Sequence, residues 1–148
     1  MSFDRAQFRD LVRRSLERRG LHSRAAENIL LGTAAQESDF GTYLLQRGGG
    51  PAIGAFQMEP TTFDWLRGKF MPRFPELVER DKPGIMEWDL DFACFMARLR
   101  YAANPEPLPP AQDVKALGEY WKRIYNTIHG AGTVAQFMSA YAKYVKET

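Results

Sequence analysis

The spacing of apolar residues is the feature that most constrains how this chain can fold. In six segments, apolar side chains such as Phe8, Val12 and Leu16 recur at three- or four-residue steps between polar positions, which is typical of amphipathic α-helices. No segment shows the strand and helix alternation of βαβ units. The sequence therefore predicts a mainly α protein, and 148 residues suit a single domain over 1–148.

Glycine, proline and N-cap residues mark where the six predicted helices begin and end. A proline-rich strip over residues 104–110 cannot continue a helix and separates the fourth helix from the fifth. The fourth helix, over 86–102, is expected to place Trp88, Phe92 and Phe95 in the core. The other five are bounded by Gly20, Ser23, Glu37, Pro60, Phe70, Asp113 and Thr133.

Residues 39–58 interrupt the helical pattern after the second helix. They contain Gly41, the triplet Gly48-Gly49-Gly50 and Gly54 between scattered apolar positions. This pattern favours a glycine-rich loop or a short irregular β insertion over a helix.

Cysteine, histidine and hydropathy patterns exclude several classes of protein. Cys94 is the single cysteine and is expected to be a buried, inert thiol, and there are two histidines. We therefore predict no disulfide, no metal site and no cofactor. No apolar run approaches the roughly 20 residues of a membrane span. The first residues do not resemble a signal peptide, so we expect synthesis in the cytoplasm and no membrane span.

The positive charge of the chain is concentrated at its start. Residues 1–24 contain seven arginines and three acids, within a net charge of +2 for the whole chain. We interpret these arginines as a solvated helix surface. Attraction to a polyanion, such as an anionic cell-wall polymer, is a weaker alternative. The hypothesis of a nucleic-acid-binding helical domain rests on these arginines alone. Nucleic acid is not expected as a partner, because nucleic-acid-binding proteins usually carry a larger, clustered excess of positive charge.

Three short segments form a pattern that carries chemistry. They are 35–38 (AQES), 54–61 (GAFQMEPT) and 125–133 (YNTIHGAGT). In this order and on a helical framework they resemble the lytic transglycosylase and goose-type lysozyme-like family. The pattern of that family is a Glu-Ser at a helix end, a Gly-x-x-Gln-x-x-Pro-x-Thr loop, and an aromatic-Tyr-Asn followed by glycines. The resemblance covers roughly residues 25 to 140.

The resemblance implies a lysozyme-like domain that cleaves the β-1,4 bond between N-acetylmuramic acid and N-acetylglucosamine in peptidoglycan. Glu37 would then be the general acid and base. The chemistry of the reaction supports this role independently of the resemblance, because glycosidic cleavage needs a carboxylic acid that stays protonated near neutral pH. The end of an apolar helix disfavours ionisation through both the helix dipole and burial, so the pKa of Glu37 should be raised.

Further residues are assigned roles around Glu37. Gln57 offers a donor and an acceptor to sugar hydroxyl or acetamido groups, and Tyr43 is a candidate for stacking on a sugar ring. The remaining expected substrate-binding residues are Ser38, which either bonds the catalytic carboxyl or only ends the helix, Tyr125 and Asn126.

Glu59 stands where the family more often has an apolar residue. It is a candidate second carboxylate, and Asp39 is a weaker one. A hydrolase usually uses a second carboxylate, whereas a transglycosylase needs one, because the 6-hydroxyl of the sugar attacks. The sequence leaves open both this choice and the oligomeric state.

The pattern around Met96-Ala97-Arg98-Leu99 and over 120–133 resembles bacteriophage-encoded members of the family. This resemblance implies delivery to the cell wall by release at lysis or as part of a virion, where phage virion proteins would be partners. The rival hypothesis is a catalytically inactive lysozyme-like module that binds glycan or serves as a structural part of a virion.

Overall fold

A computed structural model of the protein describes residues 1–146 and is built mainly of α-helices, which confirms the predicted mainly α class. A π-helical segment, Lys122–Asn126, directly continues the seventh helix. The helices are α1 Arg5–Arg18, α2 Arg24–Ser38, α3 Pro60–Phe70, α4 Glu76–Glu79, α5 Ile85–Trp88, α6 Leu90–Ala102, α7 Val114–Trp121 and α8 Val134–Tyr144.

Local capping accounts for where most of these helices begin. The side chains of Ser23 and Asp113 accept hydrogen bonds from backbone N–H groups three residues later. Thr133 and Gln136 form a reciprocal capping box at the start of α8, and Pro60 occupies the first turn of α3. These are the N-termini that the sequence predicts, because each depends only on residues next to it.

Helix α2 runs through the core. Its buried positions include Ile29, Leu30 and Ala34, none of which is exposed, and it packs against α1, α6, α7 and α8. Burial of each large aliphatic side chain contributes about 1.5–3 kcal/mol. The end of α2, where Glu37 lies, is therefore fixed by the packing of the core.

The predicted fourth helix, 86–102, is wrong in one respect, since the chain breaks there into α5 and α6. Asp89 leaves the helical conformation at φ −108° and ψ 94°, and its carboxylate caps α6 by accepting from Phe92 N. Asp89 also accepts from Arg80 at 2.6 Å. As a result Trp88 is 73% exposed, against the prediction of a core position, whereas Phe92 and Phe95 are fully buried.

The insertion over 39–58 is an irregular loop with isolated β-bridges, as the sequence predicts. Two antiparallel bridges pair Ile53 with Leu45 and with Met58, and no strand occurs in residues 1–146. Gly54 has a φ of +84°, and a Cβ there would lie 2.4 Å from the carbonyl oxygen of Met86. Only glycine fits this approach, which holds the insertion against α5.

The amino-terminal arginines are only partly the solvated surface that the sequence suggests. Arg19 is 9% exposed and lies between the carboxylates of Glu76 and Asp91, at 2.8 and 2.9 Å. Arg9 is paired with the buried carboxylate of Glu27. Arg5 and Arg18 likewise bond Tyr144 O and Asp91, so these arginines connect α1 and its C-cap to other parts of the fold.

Neither a membrane-spanning helix nor a cluster of metal ligands occurs within residues 1–146. No helix within 1–146 has the length and apolar character needed to cross a membrane. Among the same residues, no three His, Cys, Asp or Glu side chains are grouped so that they could hold a metal ion. Cys94 is buried, as predicted.

Candidate active site

A cleft of about 610 Å³ opens where the end of α2, the 39–58 insertion, the start of α3 and the π-helical segment come together. We call this space the cleft. Residues of the loop over 127–132 and Arg100 of α6 also line it. Six of the seven residues proposed from the sequence line it, namely Glu37, Tyr43, Gln57, Glu59, Tyr125 and Asn126.

The backbone after α2 turns sharply and leaves Glu37 at the wall of the cleft. Asp39, Phe40 and Gly41 all have positive φ, at 50°, 56° and 80°. This run of left-handed residues ends the helix and leads the chain into the insertion. The Glu37 side chain is half-buried, and its Oε2 accepts a hydrogen bond of 3.1 Å from the indole N–H of Trp121.

Burial raises the pKa of Glu37 from its ordinary value of 4.5 to about 7, and the hydrogen bond from Trp121 acts in the opposite direction. Desolvation disfavours the charged form of a carboxyl group, and this is the larger effect here. Near neutral pH both protonation states of Glu37 are therefore well populated. A group with this property can give a proton in one step of a reaction and take one in the next.

Ser38 lies outside the cleft, in contrast to the substrate-binding role considered for it. Its side chain is fully buried. The hydroxyl donates to the carbonyl oxygen of Ala55 at 2.6 Å and accepts from Gly41 N at 2.9 Å. Ser38 thus connects the end of α2 to the insertion and does not contact the Glu37 carboxyl group through any of its hydrogen bonds.

The two tyrosines of the cleft use their hydroxyl groups to hold the backbone. Tyr43 donates to the backbone carbonyl oxygen of Glu37 at 2.7 Å. Tyr125 donates to the carbonyl oxygen of Phe56 at 2.6 Å, and its ring stacks on Tyr101 with centroids 5.5 Å apart. Burial raises the pKa of Tyr125 above its ordinary value, so its hydroxyl stays protonated. Both side chains line the cleft, and their hydroxyl hydrogens are already donated to the backbone.

Within residues 1–146, the amides of Gln57 and Asn126 each have one end that makes no hydrogen bond. Gln57 donates through Nε2 to the carbonyl oxygen of Gly54 at 2.9 Å, so its Oε1 is the free end. Asn126 accepts through Oδ1 from Lys122 Nζ at 2.7 Å, so its Nδ2 is the free end. The cleft therefore presents one fixed acceptor and one fixed donor.

Glu59 is the second carboxylate lining the cleft among the described residues. It is exposed and precedes α3 at the N-cap position, where its side chain makes no capping bond. Asp39 is directed elsewhere, because its Oδ1 accepts from the Tyr144 hydroxyl at 2.6 Å. Glu59 is thus the acid other than Glu37 that a ligand in the cleft can meet.

Sequence reasoning missed four residues of the site. Trp121 and Lys122 follow one another at the end of α7, and Arg47 and Arg100 line the cleft. The Lys122 ammonium donates to Asn126 Oδ1 and to the carbonyl oxygens of Gly130 and Gly132, at 2.7 to 2.9 Å. It thereby closes the loop that follows the π-helical segment.

No local signal marks these residues as part of a site. Trp121 has the spacing of an ordinary core residue, and it is in fact fully buried. Lysine and arginine are common on helix surfaces and in loops. One local feature is suggestive only in retrospect, since π-helical turns often occur at functional sites.

No family model, no curated protein and no solved structure matches this chain. Its function therefore has to be inferred from the residues that line the cleft.

Proposed function

We propose that this protein is a lysozyme-like enzyme that cleaves the β-1,4 bond between N-acetylmuramic acid and N-acetylglucosamine in peptidoglycan. Glu37 is the general acid and base. The observation that carries the proposal is a single carboxyl group with a pKa of about 7, held at the wall of an open cleft. A glycan strand is a polymer, and an open cleft can admit a polymer whereas a closed pocket cannot.

The reaction uses the two protonation states of Glu37 in turn. In the first step protonated Glu37 gives its hydrogen to the glycosidic oxygen as the bond to the anomeric carbon breaks. The resulting carboxylate then takes a proton from the attacking hydroxyl group, so Glu37 ends as it began. The hydrogen bond from Trp121 to Oε2 stabilises the carboxylate between the two steps.

The free ends of Gln57 and Asn126 support an N-acetylated sugar as substrate. An acetamido group has one N–H donor and one carbonyl acceptor. The free Oε1 of Gln57 matches the donor, and the free Nδ2 of Asn126 matches the acceptor. The rings of Tyr43 and Tyr125 add flat apolar surface of the kind on which sugar rings pack.

Two forms of this chemistry differ in what Glu59 must do. If the 6-hydroxyl of the muramic acid attacks, the product is a 1,6-anhydro sugar and Glu37 is sufficient. If water attacks, a second carboxylate activates it or stabilises the cation, and Glu59 is the residue lining the cleft that can serve. Mass spectrometry of the digested muropeptides separates these routes, because the anhydro product is lighter by one water molecule.

The proposed substrate also implies where the protein acts. Peptidoglycan lies outside the cytoplasm, and the resemblance to phage-encoded enzymes favours release at lysis or transport in a virion. Two measurements of turbidity loss would separate these modes of delivery. In one, purified protein is added to cells from outside, and in the other the protein is produced inside the cells.

The decisive experiment compares three proteins on purified peptidoglycan. We expect the wild type to release soluble muropeptides and Glu37→Gln to be slower by about a thousandfold, because it can no longer transfer a proton. Glu79→Gln, an exposed glutamate of α4 outside the cleft, is the matched control and should keep wild-type activity. Circular dichroism checks that all three proteins are folded.

Unchanged release of muropeptides by Glu37→Gln would contradict the proposal. A wild-type protein that binds glycan strands without cleaving them would instead identify the inactive, glycan-binding module.

A further inference from the structure

Two arginines that line the cleft, Arg47 and Arg100, make neither a hydrogen bond nor an ion pair with the described residues. The guanidinium group of Arg47 lies 4.1 Å from the ring centroid of Tyr43, and that of Arg100 lies 5.9 Å from the ring centroid of Trp65. Both arginines line the same cleft as Glu37. Their N–H groups are therefore free to meet a ligand there.

Most other arginines of this protein make a hydrogen bond or an ion pair. Elsewhere they pair with acids, as Arg19 does with Glu76 and as Arg123 does with Glu106 at 2.7 Å, or bond backbone carbonyl groups, as Arg67 does. Within residues 1–146 one more arginine, Arg73, makes no such bond, and it lies outside the cleft. Two of the three unpaired guanidinium groups are thus at the proposed site.

The aromatic partners leave these guanidinium groups suited to a carboxylate. A guanidinium held against a ring keeps its N–H edges available, and these edges match the two oxygens of a carboxylate. Trp65, the aromatic partner of Arg100, is 52% exposed and is not itself one of the residues that line the cleft. While Glu37 is protonated, the charged groups of the cleft are these two cations and Glu59.

We propose that Arg47 and Arg100 bind carboxylate groups carried by the glycan, so that the cleft selects a carboxylate-bearing glycan over a neutral polymer of N-acetylglucosamine. This inference rests on the proposed function insofar as the ligand is a glycan. The carboxylates have two possible sources in peptidoglycan. They belong to the stem peptides, or to the lactyl group when the peptide has been removed.

The test measures binding in the Glu37→Gln background, so that the ligand is not consumed. Three probes are compared: peptide-bearing glycan strands, strands freed of peptide by an amidase, and neutral chitooligosaccharides of similar length. We expect at least one carboxylate-bearing probe to bind about tenfold more tightly than the neutral one, and the tighter of the two identifies the source. Added salt should reduce this preference, because partly exposed charges are screened.

Variants then assign the preference to residues. Arg47→Gln and Arg100→Gln should each weaken binding of the carboxylate-bearing probe about three- to fivefold, and the double variant should remove the preference. Arg47→Lys and Arg100→Lys keep the charge and should restore part of it. Arg73→Gln removes the same charge from an exposed arginine stacked on Phe74 outside the cleft, and should have no effect.

The outcomes separate this inference from the proposed function. Equal affinity for neutral and carboxylate-bearing probes, no binding to any of them, or a preference that survives in the double variant would overturn the inference. Cleavage by the wild type is measured independently. If the wild type cleaves no glycan while the arginine variants lose the preference, the proposed function fails and the inference stands.

Discussion

The indole N–H of Trp121 lies 3.1 Å from Oε2 of Glu37, although the two residues are 84 positions apart in the chain. Trp121 is fully buried at the end of α7. The backbone of Gly132 approaches so closely that a Cβ there would lie 2.6 Å from the Trp121 ring. The proposed acid is thus held by a donor whose own position is fixed by the core and by a neighbouring loop.

Trp121→Phe should shift the pH dependence of cleavage. The hydrogen bond from Trp121 lowers the pKa of Glu37, so its removal should raise that pKa further above about 7. Because the acid must be protonated, the alkaline limb of the pH–rate profile should move to higher pH. The control is Tyr120→Phe, which removes a hydroxyl bonded to the Glu106 carbonyl oxygen. Superimposable profiles for the wild type and Trp121→Phe would show that the contact does not tune the acid.

Glu37→Gln should change how stability depends on pH. Below about pH 4.5 the carboxyl group is protonated in both states. Between about 4.5 and 7 the folded state keeps a proton that the unfolded state has lost, so the free energy of unfolding of the wild type falls as pH rises. The full loss is on the order of 3 kcal/mol. Glu37→Gln should therefore gain stability relative to the wild type across this range, as urea denaturation can measure.

The same measurement on Glu79→Gln, which changes an exposed side chain of α4 outside the cleft, provides the baseline. A constant difference between Glu37→Gln and the wild type would mean that the carboxyl group titrates normally in the folded protein.

Gly54→Ala should be much more costly than Gly49→Ala. Both glycines have a φ of +84°, but a Cβ at Gly54 would meet the Met86 carbonyl oxygen at 2.4 Å, whereas Gly49 faces open space. Alanine at position 49 should cost about 1 kcal/mol for the strained φ alone. At position 54 we expect about 3 kcal/mol, because the backbone must also move. Equal changes in the melting temperature would contradict this account of the insertion.

Lys122→Met should weaken substrate binding more than it slows the chemical step. The Lys122 ammonium holds Asn126 and the carbonyl oxygens of Gly130 and Gly132, and none of these three bonds involves Glu37. We expect KM to rise about tenfold, with kcat changed less than threefold. Lys115→Met removes an exposed lysine of the preceding helix, α7, and is the control. A fall in kcat with an unchanged KM would contradict a positioning role.

The helix boundaries that could be predicted depend on neighbouring residues. Ser23, Asp113 and Thr133 cap their own helices, so a few letters of sequence suffice. The break at Asp89 was not predicted, because apolar spacing continues across it. Its cause is partly local, the bond to Phe92 N, and partly the ion pair with Arg80, which only the folded chain brings together.

The residues of the site divide in the same way, into those that could be predicted from the sequence and those that only the fold brings together. The resemblance placed Glu37, Gln57 and Asn126 near one another, and the fold puts all three in the cleft. Trp121 could not be predicted as the partner of Glu37, since their meeting depends on how α7 packs against α2. The role of Ser38 could not be predicted either. Its hydroxyl could bond a ligand as well as the backbone groups that it bonds in the fold, and the sequence alone does not distinguish the two.

Glu37 and Trp121 stand on helices whose inner faces form the core, whereas Arg47 and Gln57 stand on the irregular insertion. The proposed acid and part of the proposed ligand-binding surface therefore lie on separate parts of the chain. In the proposed enzyme, substitutions at Arg47 or Gln57 should therefore alter ligand binding while Glu37 and Trp121 keep their positions on the helices.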